Sequence, residues 1–585
     1  MDLDFEEATR LAGYNTLDDF FMKLVAPVLA ITLLLFFSTL ILVNFYGGMF
    51  DLGGLTPLLF LLPFGILLLG FASVFIYPYY VIERIKVNIH ENIHYFITYT
   101  GSLSTLHVKR RQLFRLSSQR VEYGEIAKVM EKVAYLADYW NLGLVRTCRK
   151  LSTLVPSKIL GNFLDRMSAA FDFGERVDLF LKQEQSAVME DYSTEYKQSL
   201  QTLSLIQDAL VSLTIAVSFM MAISFMLPLI MGYSIYVLVA LSGVALFFID
   251  ILSLVFIDSF ITHDLICHHL PIKAPEYRRI RAVMIPIFIL CIVLAIPLLW
   301  FRPFGAPTPL LIALSLSPLA GIGVLGSRLE SAVIKKDQAF PAFIRSLGGS
   351  LSARGGSLVG TLGPLRIHEF GVLNDPVESL YARLRVRCDK FQSWMYFAGE
   401  TGSNMIEKFG SIFIQVINLG GDPEEASQII SDNFIKLLSL RELRLQLASS
   451  VKGVYYGTIL GVTGAAYATL RMVGILDNTF KQSFASIAQT PSMGSLMMGL
   501  LPSIGEINIP LVEDMLFVVL VIHAAFSAYS IKMVDGGTKY AAFLDFVIMS
   551  WLVALTAVIM PLMFDFLFSQ GQVGTGFVSD VSPIP

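Results

Sequence analysis

His90-Glu91-Asn92-Ile93-His94 is a literal H-E-x-x-H. On a helix this spacing puts two imidazoles on one face, where they could hold zinc, with a glutamate beside them as general base. Asp535, in a late loop, is an aspartate that could complete such a site. Against zinc chemistry, Glu83, Arg84 and Lys86 place the two histidines on a charged, juxtamembrane helix, whose ordinary reading is solvated surface. A second group of ligand types, His263, Asp264, Cys267, His268 and His269, sits in a short connector. With no second cluster to close a four-coordinate site, it reads as polar residues at a helix end.

Asp250, His523 and Asp545 fall inside apolar stretches. Ionisable residues at such places suggest a proton or ion path, or else hydrogen bonds between helices facing a bundle interior. Glu513, Asp514 and Asp565 lie nearer the ends of their stretches. Two basic runs stand out, Lys109-Arg110-Arg111 with Arg115, and Arg383, Arg385 and Arg387 with Lys390. They could dock an acidic partner or anionic lipid, or be ordinary solvated faces. No phosphate-binding G-x-x-x-x-G-K-[ST] loop and no G-x-S-x-G elbow occurs, so nucleotide energy would have to come from a partner. No cofactor or metal is expected.

The elements that carry these residues are set by hydropathy. Of 585 residues 55% are hydrophobic and only 15% charged, with mean hydropathy +0.65, which is a polytopic membrane composition. The net charge of -4 gives no sign of nucleic-acid binding. Nine stretches are long enough to cross a membrane, near 24–46, 55–82, 208–231, 233–257, 282–301, 308–327, 454–475, 510–531 and 541–567. Between them lie a first island at 83–205, a connector at 259–281 and a second island at 329–452, while 1–23 and 568–585 flank the whole. These three segments hold 35 of the 43 Lys and Arg residues, which predicts that they and the N-terminus are cytoplasmic and the tail extracytoplasmic. The four cysteines then avoid oxidising surroundings, and no disulfide is expected. The acidic start, with Asp2, Asp4, Glu6 and Glu7, lacks the basic region of a cleaved signal.

Both islands read as helical bundles, and the fold class is all-α. They also repeat. Gly101-Ser102-Leu103-Ser104 returns as Gly349-Ser350-Leu351-Ser352, and Gly174-Glu175 as Gly421-Asp422, at nearly the same offset as the second and third spans onto the sixth and seventh. This implies two parallel copies of a unit with a ninth helix appended. At the place equivalent to H-E-x-x-H the second copy has Gln338-Ala339-Phe340-Pro341, without a metal ligand.

Two helical bundles each followed by membrane helices resemble the type II secretion F family. The run from Asp337-Gln338-Ala339-Phe340-Pro341 to Leu347-Gly348-Gly349-Ser350 is similar to the archaeal branch, the FlaJ-type membrane platforms of the archaellum, or archaeal flagellum. Tyr95-Phe96-Ile97-Thr98-Tyr99, Tyr123-Gly124 and Asp535-Gly536-Gly537 are similar to it too. The resemblance implies a non-enzymatic, homodimeric platform in the membrane lipid. A hexameric secretion ATPase would dock beneath it and drive assembly of filament subunits, archaellins or pilins, and in the archaellum rotation of the filament. The expected ATPase contacts are Lys109, Arg110, Arg111 and Arg115 with Arg383, Arg385 and Arg387, and the turns at Gly101, Gly174, Gly349 and Gly421 are expected to pass motion onward. An adhesion-pilus or type II secretion platform shares the fold, and a zinc protease using His90, Glu91 and His94 is the remaining alternative.

Overall fold

The computed structural model describes residues 6, 9, 14, 16–46, 61–106, 108–231, 235–261, 264–268, 270–272, 275–355, 357–487 and 509–573. His263 and His269 of the connector, most of the expected outer loop and most of the tail lie outside them. Among the described residues the chain is helical and has no named strand, as long apolar runs at mixed spacings of three and four dictate. It divides into two compact units, residues 1–192 with 419–421, and residues 193–418 with 422–585.

After a short helical lead-in, Leu17–Phe20 and Phe21–Val25, the first unit continues with α1 (Ala26–Tyr46) and α2 (Leu61–Leu103). The first half of α2 is apolar, and its second half is amphipathic, burying Ile89, Ile93, Phe96, Ile97 and Leu103. Against that face pack α3 (Arg110–Ser118), α4 (Glu125–Asp138), α6 (Lys158–Asp172) and the start of α7 (Val177–Met231), while α5 (Leu144–Leu154) lies against α4 and α6. Aromatic rings knit the core edge to face, with Phe96 5.9 Å from Phe163 and 6.0 Å from Tyr123.

In the second unit, α7 from Ser193 onward is joined by α8 (Ile235–Phe260), α9 (Pro275–Phe301), α10 (Thr308–Leu316) and α11 (Leu319–Ala353). A bundle follows, made of α12 (Leu358–Leu365), α13 (Asn374–Arg385), α14 (Lys390–Thr401), α15 (Asn404–Asn418) and the first part of α16 (Pro423–Ile487). Then come α17 (Ile509–Asp535) and α18 (Ala542–Val573). Along α11, Val333, Asp337, Phe340, Ile344, Leu347 and Leu351 recur at spacings of three and four and are all buried.

The helix order of α2 to α7 is repeated from α11 to α16. Both α6 and α15 have 15 residues, and each is capped by a serine, Ser157 accepting from Leu160 N and Ser403 from Ile406 N. After α6 the left-handed turn residue is Gly174, at φ +76°. After α15 it is Gly420, at φ +89°, one position before the Gly421 that the sequence match singles out. The match had aligned the acidic residue that follows rather than the turn itself.

Seven helices are long and apolar enough to cross a membrane among the described residues, or eight if α10 and α11, bent by 41° at Pro318, form one span. The protein is therefore a multi-pass membrane protein. The expected span at 55–82 is described only from Leu61, in α2, so the figure of nine is approximate. The expected borders between islands and spans are not breaks in the chain. Helices α7 and α16 run unbroken through them, because no proline or left-handed residue interrupts either helix there.

Candidate functional site: a buried charge junction

The chemistry legible in the sequence disperses once the helices pack. His94 is buried and lies against the rings of Tyr95 and Tyr192, 3.9 and 4.8 Å between centroids, and His90 lies 4.9 Å from Tyr192. The face expected to be solvated is thus part of the core, because the start of α7 covers it. Burial also pushes the Glu91 carboxyl up to about 7. Among the described residues no three His, Cys, Asp or Glu side chains converge on a possible metal position.

The connector after α8 is pinned rather than loose. His268 N donates to Gly402 O and Asn404 N to Ile266 O, a bridge between the connector and the α14–α15 turn, while His268 Nε2 lies 3.1 Å from Gly399 O. Asp264 takes two hydrogen bonds from the Arg441 guanidinium, both 2.8 Å. Arg441 Nη1 also donates to Asp337 at 2.7 Å, and Asp337 accepts from Ser403. Asp337 is fully buried on α11, about three turns beyond the apolar stretch. Burial pushes its carboxyl up to about 6, against the pull of Arg441 and the Ser403 hydroxyl.

Toward the membrane a second set repeats the theme. Glu330, two turns before Asp337 on α11, accepts from Lys532 Nζ at 2.7 Å and from the Thr538 hydroxyl at 2.8 Å. Lys532 also pairs with Asp535. Arg444, one turn after Arg441 on α16, donates to Val534 O at 2.7 Å and Met533 O at 3.0 Å. The spacing of seven between Glu330 and Asp337, and of three between Arg441 and Arg444, puts each pair on one helix face. Together they tie the α11–α16 bundle to the end of α17 and the loop behind it.

That loop is Asp535-Gly536-Gly537. Gly536 is left-handed, at φ +79°, and a Cβ there would lie 2.6 Å from Arg444 Cζ. A Cβ at Gly537 would collide with Lys532 and Glu330. Gly536 is favoured by its left-handed backbone, and a side chain at Gly537 would push aside the ends of Lys532 and Glu330.

The intramembrane residues find partners as well. His523 Nδ1 on α17 meets Asp250 of α8 at 2.8 Å, and Asp545 on α18 accepts from the Tyr456 hydroxyl at 2.6 Å and lies 2.5 Å from Lys452. These are contacts between helices, as one of the two readings of the sequence holds.

The basic runs are split by the fold. Arg110 turns inward, donating to Phe171 O and Glu175 O and lying over the Phe171 ring. Lys109, Arg111 and Arg115 are exposed, the two arginines sharing Asp138. Arg383 pairs with Glu400, while Arg385 and Arg387 are exposed. Of the repeated glycines, Gly349 faces open space, whereas a Cβ at its neighbour Gly348 would lie 2.5 Å from Pro423 O. Gly101, in α2, meets Gln185, 2.8 Å from such a Cβ.

Sequence reading did not find Glu330, Arg441, Arg444 or Lys532, although two acids seven apart on an apolar stripe were visible in it. No family model and no solved structure matches the chain. The chain is 34% identical over 552 residues to "Flagella accessory protein J" of Methanocaldococcus jannaschii, covering 93% of this chain and 95% of that one. It is 31% identical over 549 residues to the protein of the same name from Methanococcus voltae, covering 92% and 95%.

Proposed function

The chain belongs to the flagella accessory protein J family, the FlaJ-type membrane proteins associated with the archaellum, and on that premise we propose that it is the platform coupling an ATPase to the filament. In this reading it acts through contacts and not by catalysis. A homodimer stands in the membrane with its N-terminus and both helical bundles in the cytoplasm and its C-terminus outside, as the distribution of Lys and Arg favours. A hexameric ATPase docks on the exposed basic residues Lys109, Arg111, Arg115, Arg385 and Arg387. Its ATP-driven motion passes through the bundles to archaellin assembly and rotation.

The buried charge junction is the observation that carries the mechanical part of this reading. It bonds α11, α16, α17 and the connector by short, charge-assisted contacts in place of a greasy and slippery interface. A displacement of the second bundle would therefore be transmitted to α17. The test is a deletion strain complemented with wild type or with Arg441→Met, scored for swimming and for surface pili. The proposal expects swimming to be lost on deletion and restored only by wild type. A deletion strain that loses adhesive pili yet swims would transfer the protein to a pilus platform.

A further inference from the structure

The turn between α4 and α5 reads Tyr139-Trp140-Asn141-Leu142-Gly143, and its rings face outward, Tyr139 being 78% exposed and Trp140 66%. Tyr135, one turn earlier on α4, is exposed as well, and its ring lies 5.0 Å from that of Tyr139. Three large rings are thus gathered at the end of α4. The turn that carries them is firmly held. Tyr139 N donates to Tyr135 O at 2.9 Å, Asn141 and Gly143 are left-handed at φ +53° and +73°, and the hydroxyl of Thr147, buried in α5, donates to Gly143 O at 2.8 Å. The rings are therefore already in place, which lowers the entropy lost when a partner covers them. The turn does not itself need them. In the second bundle the corresponding turn, between α13 and α14, has Arg387 left-handed at φ +59° and carries Val386 and Cys388 with no aromatic residue.

Position and charge decide what can cover the rings. From the end of its apolar part at Ile82, α2 extends about 30 Å to Leu103. The start of α4 lies beside Asn88, whose side chain accepts from Glu125 N at 2.9 Å, and its last residue, Asp138, lies beside Arg111 in the first turn of α3, which begins a few residues after α2 ends. The aromatic turn is therefore at the end of the bundle away from the apolar part of α2, out of reach of a lipid surface. From Lys109 to Leu154 there are 10 Lys and Arg against four Asp and Glu, a net positive charge that ion pairing within the stretch does not alter. We infer that Tyr135, Tyr139 and Trp140 anchor a soluble protein partner that offers an apolar slot with an acidic rim. Exposed Trp and Tyr beside Arg are the side chains that dominate such contacts, and here the cations Lys109, Arg111 and Arg115 steer the encounter while the rings hold the complex. A second copy of the chain is the poorer match, because Asp178, Glu184 and Asp191 of α7 already pair with Arg166 and Arg176. The inference deepens the proposed docking, and it rests on that reading for the partner's identity alone.

The experiment puts the photo-crosslinking residue benzoylphenylalanine at position 140 of the full chain in its own cells, and identifies the peptide joined to it. The expected adduct is a soluble protein joined through an acidic surface segment, which on the platform reading is the secretion ATPase. That partner, purified, should bind the full chain in detergent at least about tenfold more weakly when Trp140→Ala or Tyr139→Ala is introduced, at low and at high salt alike, with the melting temperature unchanged because both side chains are exposed. An acidic soluble protein other than the ATPase, with the same loss of affinity, supports the inference and removes the ATPase from this surface. Adducts only with a second copy of the chain or with lipid, or no adduct, overturn the inference. So does binding of the identified partner that is unchanged in both alanine variants.

Discussion

At the scale of single residues the decisive interactions are buried charges that need one another. Arg441 is 3% exposed and Asp337 0%, so removing either partner strands the other in the core. Arg441→Met is expected to destabilise the protein by about 3–5 kcal/mol, and the double change Arg441→Met with Asp337→Leu by clearly less, as measured by chemical unfolding in detergent. A loss no smaller in the double variant would show that the pair is not coupled. Glu91 gives a test of opposite sign. Its carboxyl, near 7 in the folded state against 4.5 ordinarily, holds a proton that the unfolded chain releases. Folded stability from this group is therefore full below about pH 4.5 and is lost as pH rises through 7. Glu91→Gln, which mimics the protonated form, should stabilise by about 2 kcal/mol at pH 8, allowing for partial exposure, and leave stability unchanged below pH 4.5. A lower melting temperature for this variant at pH 8 would contradict the burial account. The same substitution would abolish a zinc hydrolase, so activity and stability separate the two readings.

Between elements, close approach decides more than repetition does. Gly349 is repeated in the sequence but faces open space, whereas Gly348 is where α11 meets the first turn of α16. Gly349→Ala is expected to stabilise by about 0.5–1 kcal/mol, because alanine is the better helix former. Gly348→Ala should instead cost about 1–3 kcal/mol, by pressing its Cβ against Ser427 and the Pro423 carbonyl. Thermal unfolding of the two variants side by side checks both signs. The repeat was legible because helix lengths and caps leave traces in spacing. The neighbouring glycine was not, because nothing local tells which one a second helix will approach.

For the molecule as a whole, the proposed docking of an ATPase depends on which cations the fold leaves outward. Changing Lys109, Arg111 and Arg115 together to glutamate should weaken co-purification with the ATPase, and more so at low salt, where exposed charges are least screened. Binding unchanged at low salt removes these residues from the interface. Arg110 is left out of that test because its guanidinium fastens α3 to the turn before α7. Composition and periodicity alone determined that this is an all-helical, multi-pass membrane protein with two helical islands, since hydrophobic length and period are properties of the chain itself, and the recurring Gly-Ser-Leu-Ser marked the islands as copies. The motif residues Asp337 and Asp535-Gly536-Gly537 were visible too, but without a reason for them. Only the tertiary structure decided that Asp337 meets Arg441, 104 positions away, and that Glu330 meets Lys532, 202 positions away. It also decided that the H-E-x-x-H face is covered. Those outcomes depend on which helix faces pack together, and a buried charge is tolerable only where packing supplies its partner.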